Sequence, residues 1–221
     1  MQGHHYLLAI LVILFLGQCK NDTADMPSEP SVKNGTIQEN YDAITSYDPQ
    51  GFINAIIEIP AGSQEKWELN KTRGVIERDS INGLPRTIDY LGYPANYGMI
   101  PQTLLSKKNG GDGDPLDVIV IGPPLKTGSI VPSKIIGILH LKDTGEQDDK
   151  LIAISQESTL SGIESLADLK NNFPGILEII ELWFSNYKGA GKMESLGYGD
   201  KEEALSVLAK SIGEYKSSIK K

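Results

Sequence analysis

The stretch DVIVIG, residues 117–122, is an apolar run rich in β-branched residues and is followed by two prolines, so it predicts a buried strand. A run of the same kind, KIIGILHL at residues 134–141, predicts the next strand, and Gly137 within it indicates a bend or bulge. Further strands are predicted on either side of these two runs, at residues 52–59, 66–69, 74–78 and 150–154. Residues 81–96 predict a long ordered loop. Strands therefore account for most of the middle of the chain.

The helix patterns come late in the chain. Residues 174–187 predict a helix because Pro174 suits a first turn and apolar residues recur on one face. The residues of that face are Ile176, Ile179, Ile180 and Trp183. Residues 200–216 predict a last helix, with Asp200 as its N-cap and lysines toward its end. Strands followed by helices predict a mainly β protein with α, a β-barrel or folded sheet with helices packed outside.

The composition is that of an ordinary globular protein. The chain has 221 residues, of which 23% are charged and 39% hydrophobic, enough for a sizeable core. Its formal net charge of -8 would repel the phosphates of nucleic acids and anionic lipids. We therefore expect no nucleic-acid partner. An anionic substrate stays compatible with this charge if cations lie between it and the carboxylates.

Cysteine and histidine are scarce. The only cysteine is Cys19, which excludes an internal disulfide and a cysteine-rich zinc site. Of the three histidines, His4 and His5 lie near the N-terminus and His140 lies inside an apolar run. A histidine-based metal site or a Ser-His-Asp triad is therefore not expected.

The N-terminal segment predicts export. Residues 6–17, YLLAILVILFLG, fit the apolar core of a signal peptide, and Cys19 follows directly. Residues 1–19 resemble a bacterial lipoprotein signal, which implies a periplasmic or cell-envelope protein whose membrane contact is a lipid anchor at Cys19. An ordinary signal peptide or an uncleaved anchor is the alternative. Residues 20–48 predict a flexible linker or N-terminal arm, and residues 49–221 the folded domain.

Two acidic loops concentrate the candidate chemistry. The loop GGDGDPLD, residues 110–117, places Asp112, Asp114 and Asp117 just before a buried strand. The loop KDTGEQDDK, residues 142–150, carries Asp143, Asp148 and Lys150. Either loop alone is compatible with a solvated turn, and the EF-hand calcium pattern fails in the first loop. Hard divalent cations bind such carboxylates, so two acidic loops at strand ends favour multi-metal phosphate chemistry.

The segment DGDPLDV resembles the signature of family I soluble inorganic pyrophosphatases. Other pieces of that family occur in the same order, namely IEIP, KWEL, GYPANYG, DTGEQDDK and NYKG. The resemblance covers residues 52–188. It implies a small closed five-stranded OB-like β-barrel with flanking C-terminal helices, an active site at the open end of the barrel, and a homo-oligomer.

The resemblance also implies a role for each matched residue. Asp112, Asp117, Asp143 and Asp148 would be Mg²⁺ ligands, with Glu58 and Glu68 in the outer metal shell, and Mn²⁺ or Zn²⁺ would be possible substitutes. Asp114 would be the general base for in-line attack of metal-activated water on pyrophosphate, with Tyr93 holding its carboxylate. Lys66, Tyr97, Lys150, Tyr187 and Lys188 would bind the substrate together with one arginine.

Two arginines are candidates for that position. Arg86 has the better spacing to Tyr93, whereas Arg78 has the better position in its strand. We expect Arg86 to be the phosphate-binding arginine.

Two other classes of function stay open from the sequence. A small β-barrel is a common scaffold for binding oligonucleotides or oligosaccharides, but 7% aromatic residues and an acidic balance disfavour that reading. The alternative is an exported metal-binding lipoprotein without catalytic activity. Such a protein would need no set of lysine, arginine and tyrosine side chains for phosphate.

Overall fold

The computed structural model describes residues 32–33, 36–37 and 40–220. The strands are β1 (Val32–Lys33), β2 (Thr36–Ile37), β3 (Ile53–Ile59), β4 (Trp67–Asn70), β5 (Val75–Arg78), β6 (Ser80–Ile81), β7 (Leu84–Pro85), β8 (Asn96–Met99), β9 (Asp117–Ile121), β10 (Ile130–Asp143), β11 (Glu146–Gln147), β12 (Lys150–Ser155) and β13 (Met193–Gly199). The helices are α1 (Leu166–Asn172), α2 (Ile176–Asn186) and α3 (Lys201–Ser218).

Five strands close into a ring. The order is β10, β12, β9, β8 and β3, and β3 pairs back onto β10 to complete the barrel. Strand β10 has 14 residues and can close the ring because residues 130–133 pair with β3 and residues 133–139 pair with β12. The expected small closed five-stranded barrel of OB type, mainly β with flanking helices, is confirmed.

The long strand β10 bends at a bulge. Its register against β12 shifts between Ile135 and Gly137, as the glycine predicted. A β-carbon on Gly137 would lie 2.4 Å from Cδ1 of Leu166, so this position also lets α1 approach the strand closely.

Alternate side chains of β9 pack in two different clusters of the core. Val118 and Val120 of β9 pack in a cluster with Leu208 of α3, whereas Ile119 packs in a cluster with Trp183 of α2. This division follows from the two-residue period of a strand. Both faces of the central strands are thus buried, which explains why their sequences read as continuous apolar runs.

Helix α2 buries a different stripe from the predicted one. Ile179, a residue of the predicted apolar face, is 59% exposed, whereas Leu177 and Phe184 are buried. The apolar stripe is rotated toward Leu177 around the helix axis. The helix also begins at Ile176, so Pro174 precedes it and does not lie in its first turn.

Several elements were not predicted. They are α1, β13, the short strands β1, β2, β8 and β11, and the β6–β7 hairpin within the segment predicted as a long loop. Helix α1 has seven residues and β13 has polar and glycine residues at most positions, so neither carries a strong periodic pattern.

Residues 20–48 were predicted as a linker or arm. The C-terminal end of this segment contacts the barrel. Tyr41 is 1% exposed, and its hydroxyl donates a hydrogen bond of 2.8 Å to the carbonyl of Gly128. The hydroxyl of Ser46 donates to the carbonyl of Pro101 at 2.7 Å. From Asn40 onward the chain therefore packs as part of the folded unit.

The predicted signal peptide at residues 1–19, including Cys19, lies outside the described residues. Among the described helices, none combines the length and apolar character needed to cross a membrane.

Candidate active site

One cleft of about 430 Å³ gathers the predicted site residues. Every residue that the resemblance singled out lies on its wall except Arg78: Glu58, Lys66, Glu68, Arg86, Tyr93, Tyr97, Asp112, Asp114, Asp117, Asp143, Asp148, Lys150, Tyr187 and Lys188. Leu69, Lys71, Ile88, Met99 and Pro115 complete the wall. Residues far apart in sequence therefore meet at one place.

The barrel strands position the acidic residues at their ends. Asp117 is the first residue of β9 and Asp143 is the last residue of β10. Lys150 begins β12, next to β9 in the parallel pair. Neighbouring strand ends meet at one rim, so side chains from different loops converge there.

The first acidic loop is shaped by glycine and by its own aspartate. Gly113 has a φ of 89°, which favours glycine. The backbone N–H of Asp114 donates a hydrogen bond of 2.8 Å to Oδ1 of Asp112, an Asx turn. The N–H of Leu105 binds the carbonyl of Asp114 at 2.8 Å. These bonds fix the backbone that carries Asp114 into the cleft.

A buried lysine joins the two acidic loops. The ammonium of Lys150 lies 2.7 Å from Oδ2 of Asp117 and 3.0 Å from Oδ1 of Asp148, and its side chain is 2% exposed. Burial works to lower the pKa of Lys150, but the two carboxylates more than offset this and hold the pKa above its usual value. Lys150 is therefore a permanent cation in the site.

Further lysines form ion pairs with carboxylates of the cleft. Lys188 pairs with Asp143, and Lys71 pairs with Asp114. Lys71 was not predicted as a site residue. It lies in the turn between β4 and β5, where a single exposed lysine gives no periodic or motif pattern that would separate it from a solvated turn.

Glu58 is a buried acid at the back of the cleft. Its side chain accepts a hydrogen bond of 2.8 Å from the N–H of Leu69, and the residue is 6% exposed. Burial raises the pKa of Glu58 from 4.5 to about 7, opposed by the nearby Lys66 and assisted by Asp117. Glu58 can therefore change protonation state near neutral pH.

Aromatic rings form one wall of the cleft. Tyr93 lies 5.3 Å from Tyr97 and 4.4 Å from Trp183, measured between ring centroids, and Trp183 stacks on Tyr187 at 4.6 Å. Burial raises the pKa of Tyr93, Tyr97 and Tyr187, so these phenols stay protonated and able to donate hydrogen bonds. Trp183 was predicted only as a core residue, yet it supports two of the site tyrosines.

The two candidate arginines point to different places. Arg86 lines the cleft, and its Nη1 lies 2.9 Å from Oδ2 of Asp79. Arg78 lies outside the cleft wall, where it pairs with Glu65 at 2.8 Å and lies over the ring of Trp67.

The carboxylate oxygens of the cleft are the type of ligand that hard divalent cations bind. Seven carboxylates line the cleft, and oxygen donors are the ligands that such ions take. Within the described part of the chain, no three acidic, histidine or cysteine side chains converge closely enough to hold an ion as they lie. The Lys150 ammonium lies between two of these carboxylates, Asp117 and Asp148.

The sequence matches a known protein family over most of its length. The family model for inorganic pyrophosphatase matches residues 55–216. The inorganic pyrophosphatase of Xylella fastidiosa is 37% identical over 172 residues, which cover 76% of this chain and 91% of the relative.

Solved structures agree with the sequence relatives. The type I inorganic pyrophosphatase from P falciparum matches with a TM-score of 0.73 and 33% identity over 79% of this chain, and the match spans 62% of that longer chain, less than two thirds. An N-terminally truncated vacuolar soluble pyrophosphatase from Trypanosoma cruzi, solved in complex with PPi, matches with a TM-score of 0.74 and 30% identity over 81% of this chain and 74% of its own. By the family match over most of its length and by these relatives, the chain belongs to the inorganic pyrophosphatase family.

Proposed function

We propose that this protein hydrolyses inorganic pyrophosphate to two phosphates in a magnesium-dependent reaction. The observation that carries the proposal is the single cleft that holds both a carboxylate set and a phosphate-binding set. Members of this family generally require a divalent metal, and the T. cruzi relative was solved with PPi. A metal-binding lipoprotein without catalysis would not need five cations and three tyrosines beside its carboxylates.

The carboxylates would hold the metal. We assign Asp112, Asp117, Asp143 and Asp148 as Mg²⁺ ligands, with Glu58 and Glu68 behind them; Mn²⁺ or Zn²⁺ are possible substitutes. Bound Mg²⁺ supplies charge neutralisation on the phosphoryl oxygens and makes water more acidic. The ammonium of Lys150, already shared by Asp117 and Asp148, limits the repulsion between those carboxylates.

Asp114 would take the proton from the attacking water. The oxygen of that water bonds to one phosphorus as the bridging P–O bond breaks, and the second phosphate leaves with the electron pair of that bond. The proton passes to the Asp114 carboxylate, which its Asx turn holds at the cleft wall. Tyr93, buried against Trp183, is assigned to hold the Asp114 carboxylate in place.

Cations and phenols would bind the phosphates. Arg86 can offer two N–H groups to two phosphate oxygens, whereas Lys66, Lys150 and Lys188 act as point charges. Tyr97 and Tyr187 would donate hydrogen bonds, since their raised pKa values keep them protonated. This set offsets charge as it develops on the leaving phosphate.

The test of this proposal is phosphate release by the purified protein. We expect release from pyrophosphate in the presence of Mg²⁺ and loss of that release in excess chelator, with recovery when Mg²⁺ is restored. A folded protein that binds Mg²⁺ and releases no phosphate would overturn the proposal.

We also propose that the protein is exported and lipid-anchored at Cys19, which would place it in the periplasm or cell envelope. The support is the apolar run at residues 6–17, which one residue, Gln18, separates from Cys19. Mass spectrometry of the N-terminal peptide of the native protein tests this. A lipidated N-terminal Cys19 is expected, and a cytosolic protein with residues 1–19 intact would contradict the proposal.

A homo-oligomer is proposed on the resemblance to the family. Sedimentation of the purified protein at several concentrations tests it, and a sedimentation coefficient that stays at the value of a 24.1 kDa monomer would contradict it.

A further inference from the structure

We infer that Asp79 is a positioning residue, which fixes the guanidinium of Arg86 for phosphate binding. This inference rests on the proposed function of the cleft. Asp79 is absent from the cleft wall, so it acts through Arg86 rather than on the substrate.

The β6–β7 hairpin brings the two residues together. Asn82 and Gly83 form its turn with φ values of 55° and 78°, as expected for a tight Asn-Gly hairpin. The pairing of Ser80 with Pro85 places Asp79 and Arg86 opposite each other at the base of the hairpin. The N–H of Arg86 donates a hydrogen bond of 2.8 Å to the carbonyl of Asp79.

The base of the hairpin is bound to the backbone of a second site residue. The N–H of Asp79 donates to the carbonyl of Lys66 at 3.0 Å, and the N–H of Lys66 donates to the carbonyl of Arg86 at 3.2 Å. The backbone of Arg86 is therefore held in place, but these bonds leave its long side chain free to rotate.

The side chain of Asp79 restricts that rotation. Nη1 of Arg86 donates a hydrogen bond of 2.9 Å to Oδ2 of Asp79, whose side chain is 16% exposed. The tip of the hairpin gives little support, since Ile81 is 55% and Leu84 is 71% exposed. An arginine side chain carries about 2 kcal/mol of rotamer entropy. A fixed carboxylate partner therefore reduces the side-chain entropy that Arg86 loses when it binds phosphate. One N–H is used by Asp79, and the other four remain for phosphate oxygens.

A charge effect of Asp79 and a positioning effect of Asp79 would change phosphate binding in opposite directions when Asp79 is removed. If Asp79 acted only through its charge, its removal would leave Arg86 more attractive to anions, and phosphate would bind more tightly. If Asp79 positions Arg86, its removal weakens phosphate binding. The sign of the change therefore decides between them.

The experiment compares Asp79→Asn with a matched control. Glu65→Gln removes a carboxylate that pairs with Arg78 at 2.8 Å, outside the cleft wall. We expect Asp79→Asn to weaken inorganic phosphate binding about tenfold by calorimetry, and to lower kcat/KM for pyrophosphate by a similar factor. Glu65→Gln should change either quantity less than about twofold.

A double-mutant cycle tests whether Asp79 acts through Arg86. In an Arg86→Ala background, Asp79→Asn should have less than about a twofold further effect on phosphate binding. Tighter phosphate binding by Asp79→Asn, unchanged binding, or an equal loss in both backgrounds would overturn the inference. Phosphate binding can be measured whether or not the protein turns over pyrophosphate, so failure of the proposed hydrolysis would be recognised separately.

Discussion

The ammonium nitrogen of Lys150 lies 2.7 Å from Oδ2 of Asp117, although the two residues begin different strands of the barrel. The same nitrogen lies 3.0 Å from Oδ1 of Asp148. Because its side chain is 2% exposed, this lysine is a buried cation that links two acidic loops. The same ion pair therefore joins two strands of the barrel and two acidic loops of the site.

Lys150→Met should destabilise the protein. Removing the ammonium leaves two carboxylates close together without a counter-charge, and we expect a loss of about 2–4 kcal/mol in the free energy of unfolding. Lys188→Met is the matched control, because its pair with Asp143 is more exposed and should contribute no more than about 1 kcal/mol. Urea denaturation in excess chelator measures both. Equal losses in the two variants would contradict the role given to Lys150.

The stability of the protein should depend on pH through Glu58. Its pKa is raised from 4.5 to about 7 in the folded protein, so between these values the folded state keeps a proton that the unfolded state releases. The free energy of unfolding therefore falls as pH rises through this window, and Glu58→Gln removes the effect. Relative to the wild type, the variant should gain roughly 2–3 kcal/mol between pH 5 and pH 8. Urea denaturation in excess chelator at both pH values checks this, and an unchanged difference between the two proteins would refute it.

Arg86 and Arg78 should differ in their effect on activity. Arg86 lines the cleft, so Arg86→Ala removes a phosphate-binding group and should lower kcat/KM about 10²-fold. Arg78→Ala removes a side chain that pairs with Glu65 away from the cleft and should change kcat/KM less than about threefold. Steady-state kinetics with pyrophosphate measures both variants. A larger loss for Arg78→Ala would show that the wrong arginine was assigned.

Two glycines should respond to alanine in opposite directions. A β-carbon on Gly98 in β8 would lie 1.9 Å from the carbonyl oxygen of Ile56, so the barrel must distort and Gly98→Ala should cost about 3 kcal/mol or more. Gly213 is exposed within α3, and a β-carbon there would meet no neighbouring side chain within 4 Å, so Gly213→Ala should stabilise by about 1 kcal/mol. Thermal unfolding of both variants gives the comparison. A neutral Gly98→Ala would contradict the close approach of β8 to β3.

The central strands could be predicted from the sequence because both of their faces are buried. Residues 118–121 and 135–139 are apolar throughout, and only such strands stand out without any alternation. Closure of the ring could not be derived from the same pattern. It depends on β3 pairing with the far end of β10, and residues 130–133 include a proline and a serine that do not predict a strand.

Most of the cleft could be predicted because its residues lie in short motifs at strand ends. Lys71 of the cleft wall could not be predicted as a site residue, nor could Asp79 and Trp183, which contact site residues from outside the wall. Lys71 and Asp79 lie beside turns where polar residues are ordinary, and Trp183 has the spacing of a core residue. Their relation to the site depends on contacts between distant segments, such as the stacking of Trp183 on Tyr187 beside Tyr93.

The rate of a single turnover in Asp114→Asn tests the proposed general base directly. Asparagine keeps the size of the side chain but cannot take the proton of the attacking water. With Mg²⁺ present, we expect pyrophosphate binding to be retained while the rate of phosphate formation falls by about 10²–10⁴. A variant that binds pyrophosphate and hydrolyses it at the wild-type rate would contradict the assignment of Asp114 as the base.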